Sequence, residues 1–395
     1  MPPSTMEEVG EENRNGATTN ASFQFSWNDD QALQAMDVLE AIPGIKTICV
    51  TGGAGFIGSW VFRSLTLTYP MYHFICYDNF EYSSSLNNLH ALDGVSNWSL
   101  VRGDVSDEIA VTKCFFKHKI DAVMHFAAQS HVDLSFDAPH AFCKTNLTGT
   151  VVLLEAARKF GVKRFIHVST DEVYGEVSPG QPDHKESDVL CPTNPYSGSK
   201  AAAEMMVCAY AKSFGLPTII VRSNNVYGPN QFPEKIIPKF TILLHRKQKV
   251  PLYGSGEYTR RYIYAGDVAN AFNFIFHRGE IGETYNIGTV DRVSNIEVIG
   301  KILAASQKVA GINHSASLNI EKWIQSTPNR PFMDRHYAVD FTKLTDLGWS
   351  QKVALDDGFR RTVSWYERYG EQWWGDISSH LGSGVFKTEP SIQSS

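Results

Sequence analysis

A tyrosine and a lysine four residues apart, Tyr196 and Lys200, form the first pair in the sequence that could do chemistry. The stretch 196–214 has a helical pattern, and Pro195 suits its first turn. Residues four apart share one face of a helix, so the ammonium would lie near the phenol and favour the phenolate. Tyr196 could then take a proton from a substrate hydroxyl. An isolated pair of this kind more often means a packed tyrosine and a solvated lysine, so the interpretation depends on its surroundings.

Two adjacent carboxyl residues, Asp171 and Glu172, follow Thr170 after the apolar run 164–168. The carboxyl end of a central strand is where the active sites of α/β proteins form. Neighbouring residues of a strand face opposite sides, so both carboxyls enter one cleft only if the chain leaves the sheet near Thr170. Paired carboxyls oppose each other's ionisation, so one can act as an acid and the other as a base, as an elimination requires. The alternative is that both are helix-start or solvated turn residues.

A glycine-rich segment at 51–58, TGGAGFIG, follows the first apolar run and opens a predicted helix. Glycines permit a tight turn and a close approach of backbone N–H groups to a pyrophosphate, although a plain turn would use the same residues. Asp78, at the end of the second predicted strand, is placed to bind adenosine ribose hydroxyls and to repel a 2′-phosphate. Small residues at 103–105 and 126–128 would let the backbone lie against the ligand. The sequence therefore predicts NAD rather than NADP.

These segments belong to an alternation of short apolar runs and helical stretches. Such an alternation predicts parallel strands with right-handed crossovers, which is a doubly wound (Rossmann) α/β sheet, followed by a smaller C-terminal substrate-binding lobe. The predicted strands lie at 47–50, 74–77, 122–126, 164–168 and 218–221. The predicted domains are a flexible tail at 1–44, an NAD-binding domain at 45–222 with a return segment at about 262–290, a substrate-binding lobe at 223–261 and 291–375, and a flexible tail at 376–395.

Composition and charge exclude some classes of partner. The 395 residues carry a formal net charge of -6, and no long run of Lys and Arg offers a surface for nucleic acid. No apolar run approaches the roughly 20 residues of a membrane helix, and the first residues lack a signal-peptide pattern. We therefore expect a cytoplasmic protein without nucleic-acid or membrane partners and without a metal.

Five motifs resemble the extended short-chain dehydrogenases that act on nucleotide sugars and, among them, the 4,6-dehydratases. They are HFAAQSHVD at 125–133, STDEVYG at 169–175, PTNPYS at 192–197, NNVYGPNQFPEK at 224–235 and NRPFMDR at 329–335. The resemblance covers roughly residues 45–370. Sister epimerases and decarboxylases share the glycine turn and the Tyr/Lys pair but lack the Thr-Asp-Glu triplet, so the triplet indicates the subfamily.

The resemblance implies a mechanism in which Tyr196 removes the O4 proton of the sugar while hydride passes from C4 to NAD⁺. Lys200 supports the phenolate and Thr170 holds O4. The resulting ketone acidifies C5, so Glu172 abstracts the C5 proton and a protonated Asp171 donates to the leaving C6 hydroxyl. Return of the hydride to C6 and of a proton to C5 gives a 4-keto-6-deoxy sugar, and NAD is not consumed.

The resemblance also implies two sets of ligand contacts. The cofactor contacts are Gly52, Gly55, Phe56, Ile57, Asp78, Asn79, Asp104, Val105, Phe126, Ala127, Ala128, Ser130, Thr145, Tyr196, Lys200 and Asn225. The substrate contacts are Ser130, Thr170, Asn224, Lys235, Ile236, Pro251, Tyr253, Arg260, Asn286, Asn329 and Arg330. A guanidinium fork matches diphosphate oxygens, although either arginine alone could serve an ordinary loop salt bridge.

Two departures from the family pattern bear on the substrate. The family often has Asp-Lys-Leu where this chain has Asp-Asn-Phe at 78–80, so a lysine contact near the adenosine is missing. The segment 329–332, Asn-Arg-Pro-Phe, resembles eukaryotic rhamnose synthases rather than the Asp-Arg-Pro-Gly-His of bacterial dTDP-glucose enzymes. We therefore expect UDP-glucose as the substrate, with a separate epimerase and reductase acting on the product. The resemblance also implies a homodimer through the helices near 140–160 and 196–214. The alternatives are dTDP-glucose as substrate, a nucleotide-sugar 4-epimerase, and an NAD-binding scaffold without turnover.

Overall fold

The computed structural model describes residues 36–178, 180–309, 319–327 and 334–382. Its strands are β1 (Thr47–Thr51), β2 (His73–Asp78), β3 (Trp98–Arg102), β4 (Ala122–His125), β5 (Arg164–Val168), β6 (Thr218–Ser223), β7 (Asn225–Tyr227), β8 (Val250–Tyr253), β9 (Thr259–Tyr264), β10 (Thr284–Ile287), β11 (Arg292–Ser294) and β12 (Ile324–Thr327). All five strands that the sequence predicts are present.

Helices occupy most of the chain between the strands. The α-helices are α1 (Phe56–Thr68), α2 (Glu108–His118), α3 (Val132–Asp137), α4 (Pro139–Phe142), α5 (Gly149–Phe160), α6 (Pro195–Phe214), α7 (Ile236–His245), α8 (Ala265–Arg278), α9 (Asn295–Val309), α10 (Thr342–Asp346), α11 (Leu355–Trp374) and α12 (Ser378–Leu381). A π-helical turn, Cys143–Thr148, joins α4 to α5, and 3₁₀ turns lie at Leu86–Leu92, Asp171–Tyr174 and Glu321–Trp323. Within these described ranges, none of the helices has both the length and the apolar character that crossing a membrane demands.

The central sheet is parallel throughout and has the strand order β3-β2-β1-β4-β5-β6-β10. β1 and β4 lie at its centre, and their residues are almost all buried because helices cover both faces of the sheet. α1 and α8 pack together on one face, and α2, α5 and α6 follow one another across the other. The chain reverses strand order at β1, so the two halves of a doubly wound fold diverge there. The predicted fold class is confirmed.

The seventh strand of this sheet comes from late in the chain. β10 pairs with β6 in parallel, with Tyr285 beside Val221, and α8 precedes it. Both lie inside the predicted return segment at about 262–290, so this part of the chain completes the sheet rather than the second lobe. The second lobe contains a sheet of order β11-β9-β7, the parallel pair β8 and β12, and the helices α7, α9 and α11.

The N-terminal boundary differs from the prediction. Residues 36–44 have no helix or strand, yet Met36 is buried in the core. Two backbone N–H groups of this segment donate to buried tyrosine hydroxyls, Leu39 to Tyr69 at 2.9 Å and Ile42 to Tyr72 at 2.6 Å. These hydrogen bonds and the burial of Met36 hold the segment against the core, so the flexible tail cannot include 36–44. The rest of the predicted tail lies outside the described residues.

The C-terminal boundary differs in the same way. Residues 376–382, predicted as the start of a flexible tail, include the short helix α12. Ile377 and Leu381 are buried in the main core, which holds the segment against the body of the protein. The remainder of the predicted tail lies outside the described residues.

Candidate active site

A cavity of about 790 Å³ lies at the carboxyl ends of the sheet strands, between the sheet and the second lobe. Cavities of this size hold drug-sized ligands, and parallel sheets bind ligands at this edge. Its walls include the ends of β1, β2, β4, β5 and β6 and residues of α7, β8 and β9. Among the residues described by the structure, no group of three His, Cys, Asp or Glu side chains is placed to hold a metal ion.

The glycine turn forms one end of this cavity. Its backbone packs so closely against the neighbouring strand end that a side chain would clash there. Gly52 has φ +67°, and a Cβ there would lie 2.7 Å from the backbone nitrogen of Ala127. Gly55 is the N-cap of α1 and lines the cavity without a side chain in front of the helix N-terminus. A pyrophosphate therefore fits this cradle, since it can meet the backbone N–H groups and the positive end of the helix dipole.

Asp78 ends β2 beside the glycine turn, lines the cavity and is buried. Its carboxylate accepts hydrogen bonds from the backbone N–H groups of Ala54 at 3.0 Å and Phe80 at 2.9 Å. Burial raises the pKa of Asp78, while these bonds act in the opposite direction. Each oxygen keeps acceptor capacity toward the cavity, so the carboxylate fits a ribose diol.

The triplet 170–172 stands where β5 leaves the sheet. Thr170 is the N-cap of the 3₁₀ turn Asp171–Tyr174, and its hydroxyl accepts the N–H of Glu172 at 3.3 Å. Because the chain turns here instead of continuing as a strand, both carboxyls line the same cavity. Each is held by an amide: Asn224 donates to Asp171 at 2.7 Å, and Asn194 donates to Glu172 at 3.1 Å.

The two carboxyl groups are both shifted toward their protonated forms. Burial, followed by the charge of Glu172, raises the pKa of Asp171 to about 7. Burial also raises the pKa of Glu172, opposed by the hydrogen bond from Asn194 and by the charges of Arg260 and Lys235. The cavity therefore contains a carboxylic acid that is partly protonated at neutral pH beside a second carboxyl with cationic neighbours.

The helix α6 brings the tyrosine and the lysine to the same cavity. Asn194 and Ser197 form a capping box at its start, which fixes the first turn. Tyr196 and Lys200 are buried and line the cavity. The ammonium of Lys200 donates to the carbonyl oxygen of Val168 at 2.6 Å.

The ionisation of these two groups differs from the expectation. Burial and then the charge of Glu172 raise the pKa of Tyr196, and burial lowers the pKa of Lys200 to about 8. The phenolate is therefore not favoured by the protein's own groups, because burial and the charges of Glu172 and Asp171 outweigh the hydrogen bond with Thr170.

Most predicted ligand contacts come together here. The predicted cofactor contacts that line the cavity are Gly52, Gly55, Phe56, Ile57, Asp78, Asn79, Val105, Phe126, Ala127, Ala128, Ser130, Thr145, Tyr196, Lys200 and Asn225. Asp104 is not among the lining residues. Its carboxylate instead accepts the N–H and the hydroxyl of Ser106, both at 2.8 Å, so it caps a turn.

Eight of the predicted substrate contacts also line the cavity: Ser130, Thr170, Asn224, Lys235, Ile236, Pro251, Tyr253 and Arg260. Asn286 is wrong as a cavity contact, because it is fully buried outside the lining. Its amide accepts from the Tyr174 hydroxyl at 2.9 Å and donates to the carbonyls of His184 and Asp340. Asn329 and Arg330 lie outside the described residues.

Some lining residues were missed by the sequence reasoning. Asn194 holds Glu172, and its position before the helix proline was a readable N-cap signal. Tyr337 also lines the cavity beneath the guanidinium of Arg260, which lies 4.7 Å from its ring centre. Nothing in the local sequence around Tyr337 marks it, because only tertiary folding brings it to the site.

Comparison with known proteins agrees with this geometry. A protein-family model described as GDP-mannose 4,6 dehydratase matches residues 49–362. A trifunctional UDP-glucose 4,6-dehydratase/UDP-4-keto-6-deoxy-D-glucose 3,5-epimerase/UDP-4-keto-L-rhamnose-reductase of Arabidopsis thaliana is 45% identical over 85% of this chain and 49% of its own length. The chain thus spans about half the length of that relative. The dTDP-D-glucose 4,6-dehydratase of Homo sapiens is 42% identical, over 84% of this chain and 93% of its own.

Two solved structures show the same fold. The dTDP-glucose 4,6-dehydratase DesIV of Streptomyces venezuelae, with NAD and TYD bound, aligns with a TM-score of 0.76 and 35% identity over 83% of this chain and 99% of its own. A dTDP-glucose 4,6-dehydratase of Bacillus anthracis in complex with NAD aligns with a TM-score of 0.74 and 34% identity over 85% of this chain and all of its own. The resemblance inferred from the motifs is confirmed, and the chain belongs to the nucleotide-sugar dehydratase family whose model is described as GDP-mannose 4,6 dehydratase.

Proposed function

We propose that this protein is an NAD-dependent dehydratase that converts UDP-glucose to UDP-4-keto-6-deoxy-glucose. The observation that carries the proposal is the position of Asp171 and Glu172, whose side chains line the same cavity as Tyr196, Lys200 and the glycine turn. An oxidising site needs only the tyrosine and lysine. A pair of buried carboxyls beside them supplies the acid and the base that an elimination needs in addition.

NAD is the proposed cofactor. The side-chain-free cradle at Gly52 and Gly55 and the carboxylate of Asp78 fit a dinucleotide with an unmodified ribose. Solved relatives with 34% and 35% identity hold NAD. Bound in this cradle, NAD⁺ would supply an acceptor for the C4 hydride and a donor for its return to C6, and its positive charge would favour the phenolate that burial disfavours.

In the oxidation, the Tyr196 oxygen receives the proton of the sugar O4. Thr170 lies beside the tyrosine, and the hydrogen bond between these side chains opposes the rise in the Tyr196 pKa. Lys200 is anchored through the Val168 carbonyl, so its ammonium holds a fixed place along the helix. Its pKa of about 8 keeps most of it charged at neutral pH, which offsets the negative charge that forms on the phenol.

In the elimination, Glu172 takes the C5 proton and Asp171 gives a proton to the leaving C6 oxygen. The unequal surroundings of the two carboxyls support this division. The charge of Arg260 lowers the pKa of both carboxyls, but the charge of Lys235 additionally favours ionised Glu172, whereas the charge of Glu172 raises the pKa of Asp171. An acid with a pKa near 7 can donate its proton without a large driving-force penalty at neutral pH.

Overall similarity hardly separates the two substrates, because relatives named for dTDP-glucose are nearly as similar as those named for UDP-glucose. The choice of UDP-glucose therefore rests on the sequence at 329–332 and on the Arabidopsis relatives. Offering UDP-glucose and dTDP-glucose in competition and weighing the products by mass spectrometry tests the base preference. Turnover of dTDP-glucose alone would contradict the substrate assignment.

We further propose a homodimer through α5 and α6 and a separate epimerase and reductase for the product. Met205 and Phe214, half-exposed on α6, support the dimer.

Turnover in D₂O distinguishes this function from the alternatives. A 4,6-dehydratase yields a product that has lost one water and carries deuterium at C5. A 4-epimerase gives a product of unchanged mass without label at C5, because it never breaks the C5–H bond. A scaffold gives no product from either nucleotide sugar, and that result would overturn the proposal.

A further inference from the structure

A buried ion-pair cluster lies behind the active site, outside the cavity lining. Its centre is Arg222 of β6, whose guanidinium donates to both carboxylate oxygens of Glu204, the shortest contact being 2.6 Å. The side chains of Arg222 and Glu204 are 6% and 0% exposed. A buried pair of this kind has to recover a large desolvation cost, so its presence is weak evidence for a role in stability.

The cluster joins the two elements that carry the proposed chemistry. Glu204 lies on α6, four residues after Lys200 and eight after Tyr196, so the three share one face of the helix. On its other side Arg222 donates to the hydroxyl of Tyr174 at 2.6 Å, and its guanidinium lies 4.6 Å from the ring centre. Tyr174 closes the 3₁₀ turn that starts with Asp171.

The Tyr174 hydroxyl fixes the turn at a second point. It donates to the amide oxygen of Asn286 in β10 at 2.9 Å, and the ring stacks on His184 with 5.0 Å between ring centres. The turn is only four residues long, so the rear anchor at Tyr174 controls where its front residues, Asp171 and Glu172, stand. A planar fork with a fixed spread of donors is suited to such a clamp, whereas a lysine would offer a single point charge.

We propose that Arg222 and Tyr174 are positioning residues that set the distance between the acid–base pair on the 3₁₀ turn and the tyrosine–lysine pair on α6. Neither side chain lines the cavity. The inference rests on the proposed dehydratase function, because it assigns oxidation to one pair and elimination to the other. If the clamp is loosened, oxidation at C4 continues while elimination slows, since the carboxyls no longer stand at the C5 and C6 atoms. A misplacement of about 1 Å can cost up to ~100-fold in rate.

The test uses Tyr174→Phe, which keeps the ring and its stacking but removes the hydroxyl between Arg222 and Asn286. The matched control is Tyr69→Phe. The Tyr69 hydroxyl is also buried, donates to an asparagine oxygen, that of Asn273 at 2.8 Å, and accepts one N–H, that of Leu39 at 2.9 Å, but it lies away from the cavity. Both variants lose a bridging buried hydroxyl, and because the Tyr174 hydroxyl accepts from a charged guanidinium, Tyr174→Phe should lose at least as much thermal stability as Tyr69→Phe.

Three quantities are measured on the NAD-loaded enzyme with UDP-glucose: kcat, KM, and the fraction of enzyme held as NADH during turnover, read from NADH absorbance. For Tyr174→Phe we expect kcat to fall by about 10-fold to 100-fold, KM to stay within about twofold, and the NADH fraction to rise. For Tyr69→Phe all three should match the parent enzyme. Arg222→Lys provides a second variant, and the same rise in the NADH fraction is expected because the fork is lost while the charge remains.

The outcomes separate the two proposals. If the parent enzyme releases no 4-keto-6-deoxy product, the proposed function fails. If the parent dehydrates but Tyr174→Phe and Arg222→Lys keep its kcat and its NADH fraction, the positioning proposal fails alone. Equal losses of kcat in Tyr174→Phe and Tyr69→Phe, without a rise in NADH, would also overturn it, because that pattern reports a general loss of stability.

Discussion

Replacing Asp171 by asparagine tests the acid assignment most directly. The substitution keeps the size of the side chain and an oxygen that can accept the hydrogen bond from Asn224, which is 2.7 Å long in the protein. It removes the proton that the proposed mechanism delivers to the leaving C6 oxygen. We expect oxidation at C4 to persist and elimination to fall by ~10²–10⁴-fold, the usual contribution of a general acid.

The pH dependence of the parent enzyme provides a second test of Asp171 as the acid. The pKa of Asp171 is raised from 3.8 to about 7, so its protonated form, the one required, declines as pH rises past 7. Elimination should therefore fall about tenfold for each further pH unit. This alkaline limb should be absent from Asp171→Asn, whose residual rate has no acid to lose.

Single-turnover experiments with loaded enzyme measure this step apart from product release. The appearance of NADH reports oxidation, and its disappearance reports completion of the elimination and return of the hydride. Asp267→Asn is the matched control, because Asp267 is also a buried aspartate with a raised pKa, about 6, and does not line the cavity. The reasoning is refuted if Asp171→Asn eliminates water at the parent rate, or if the parent rate is flat between about pH 6 and pH 9.

Three further predictions follow from the same geometry. Gly52→Ala should weaken NAD binding by at least tenfold in a titration of the apoenzyme, because the new Cβ would lie 2.7 Å from the Ala127 nitrogen at a φ of +67°. Lys200→Met should suppress the appearance of NADH itself, unlike Asp171→Asn, because it removes the ammonium that α6 carries one turn after Tyr196 and that the Val168 carbonyl anchors. In urea, the stability difference between the parent and Asp171→Asn should change by up to about 4 kcal/mol as pH rises from about 4 to about 7, because the folded-state pKa of Asp171 exceeds its unfolded value and its stabilising contribution is lost across that window. The buried histidines His125, His277 and His336, whose lowered pKa values act in the opposite direction, are common to both proteins and cancel in the difference.

The parts of the site that were predictable are those with local signals. Residue type and spacing along one strand or one helix are enough to recognise the glycine turn, Asp78 and the Tyr196–Lys200 pair. The triplet 170–172 could be placed at a strand end, and the condition that the chain must leave the sheet near Thr170 is met by the 3₁₀ turn. The central strands were predictable for a similar reason, because strands buried on both faces are continuous apolar runs.

The errors lie where a contact joins segments far apart in the chain. Asn286 was assigned to the substrate, but its amide is used by Tyr174, His184 and Asp340. Residues 36–44 have a polar composition that suggested a tail, yet they bind Tyr69 and Tyr72. Composition and local pattern do not report hydrogen bonds made with partners that only the fold supplies.

The sequence by itself determined the fold class and the cofactor cradle, and it indicated the side chains that we propose to react, because periodicity and residue type are local properties of the chain. The tertiary structure decided the ionisation of those side chains and the clamp behind them. Burial at the sheet edge raises the pKa of Asp171 and Tyr196 and lowers that of Lys200. Desolvation depends on everything packed around a group, so it exists only once β5, β6 and α6 have come together.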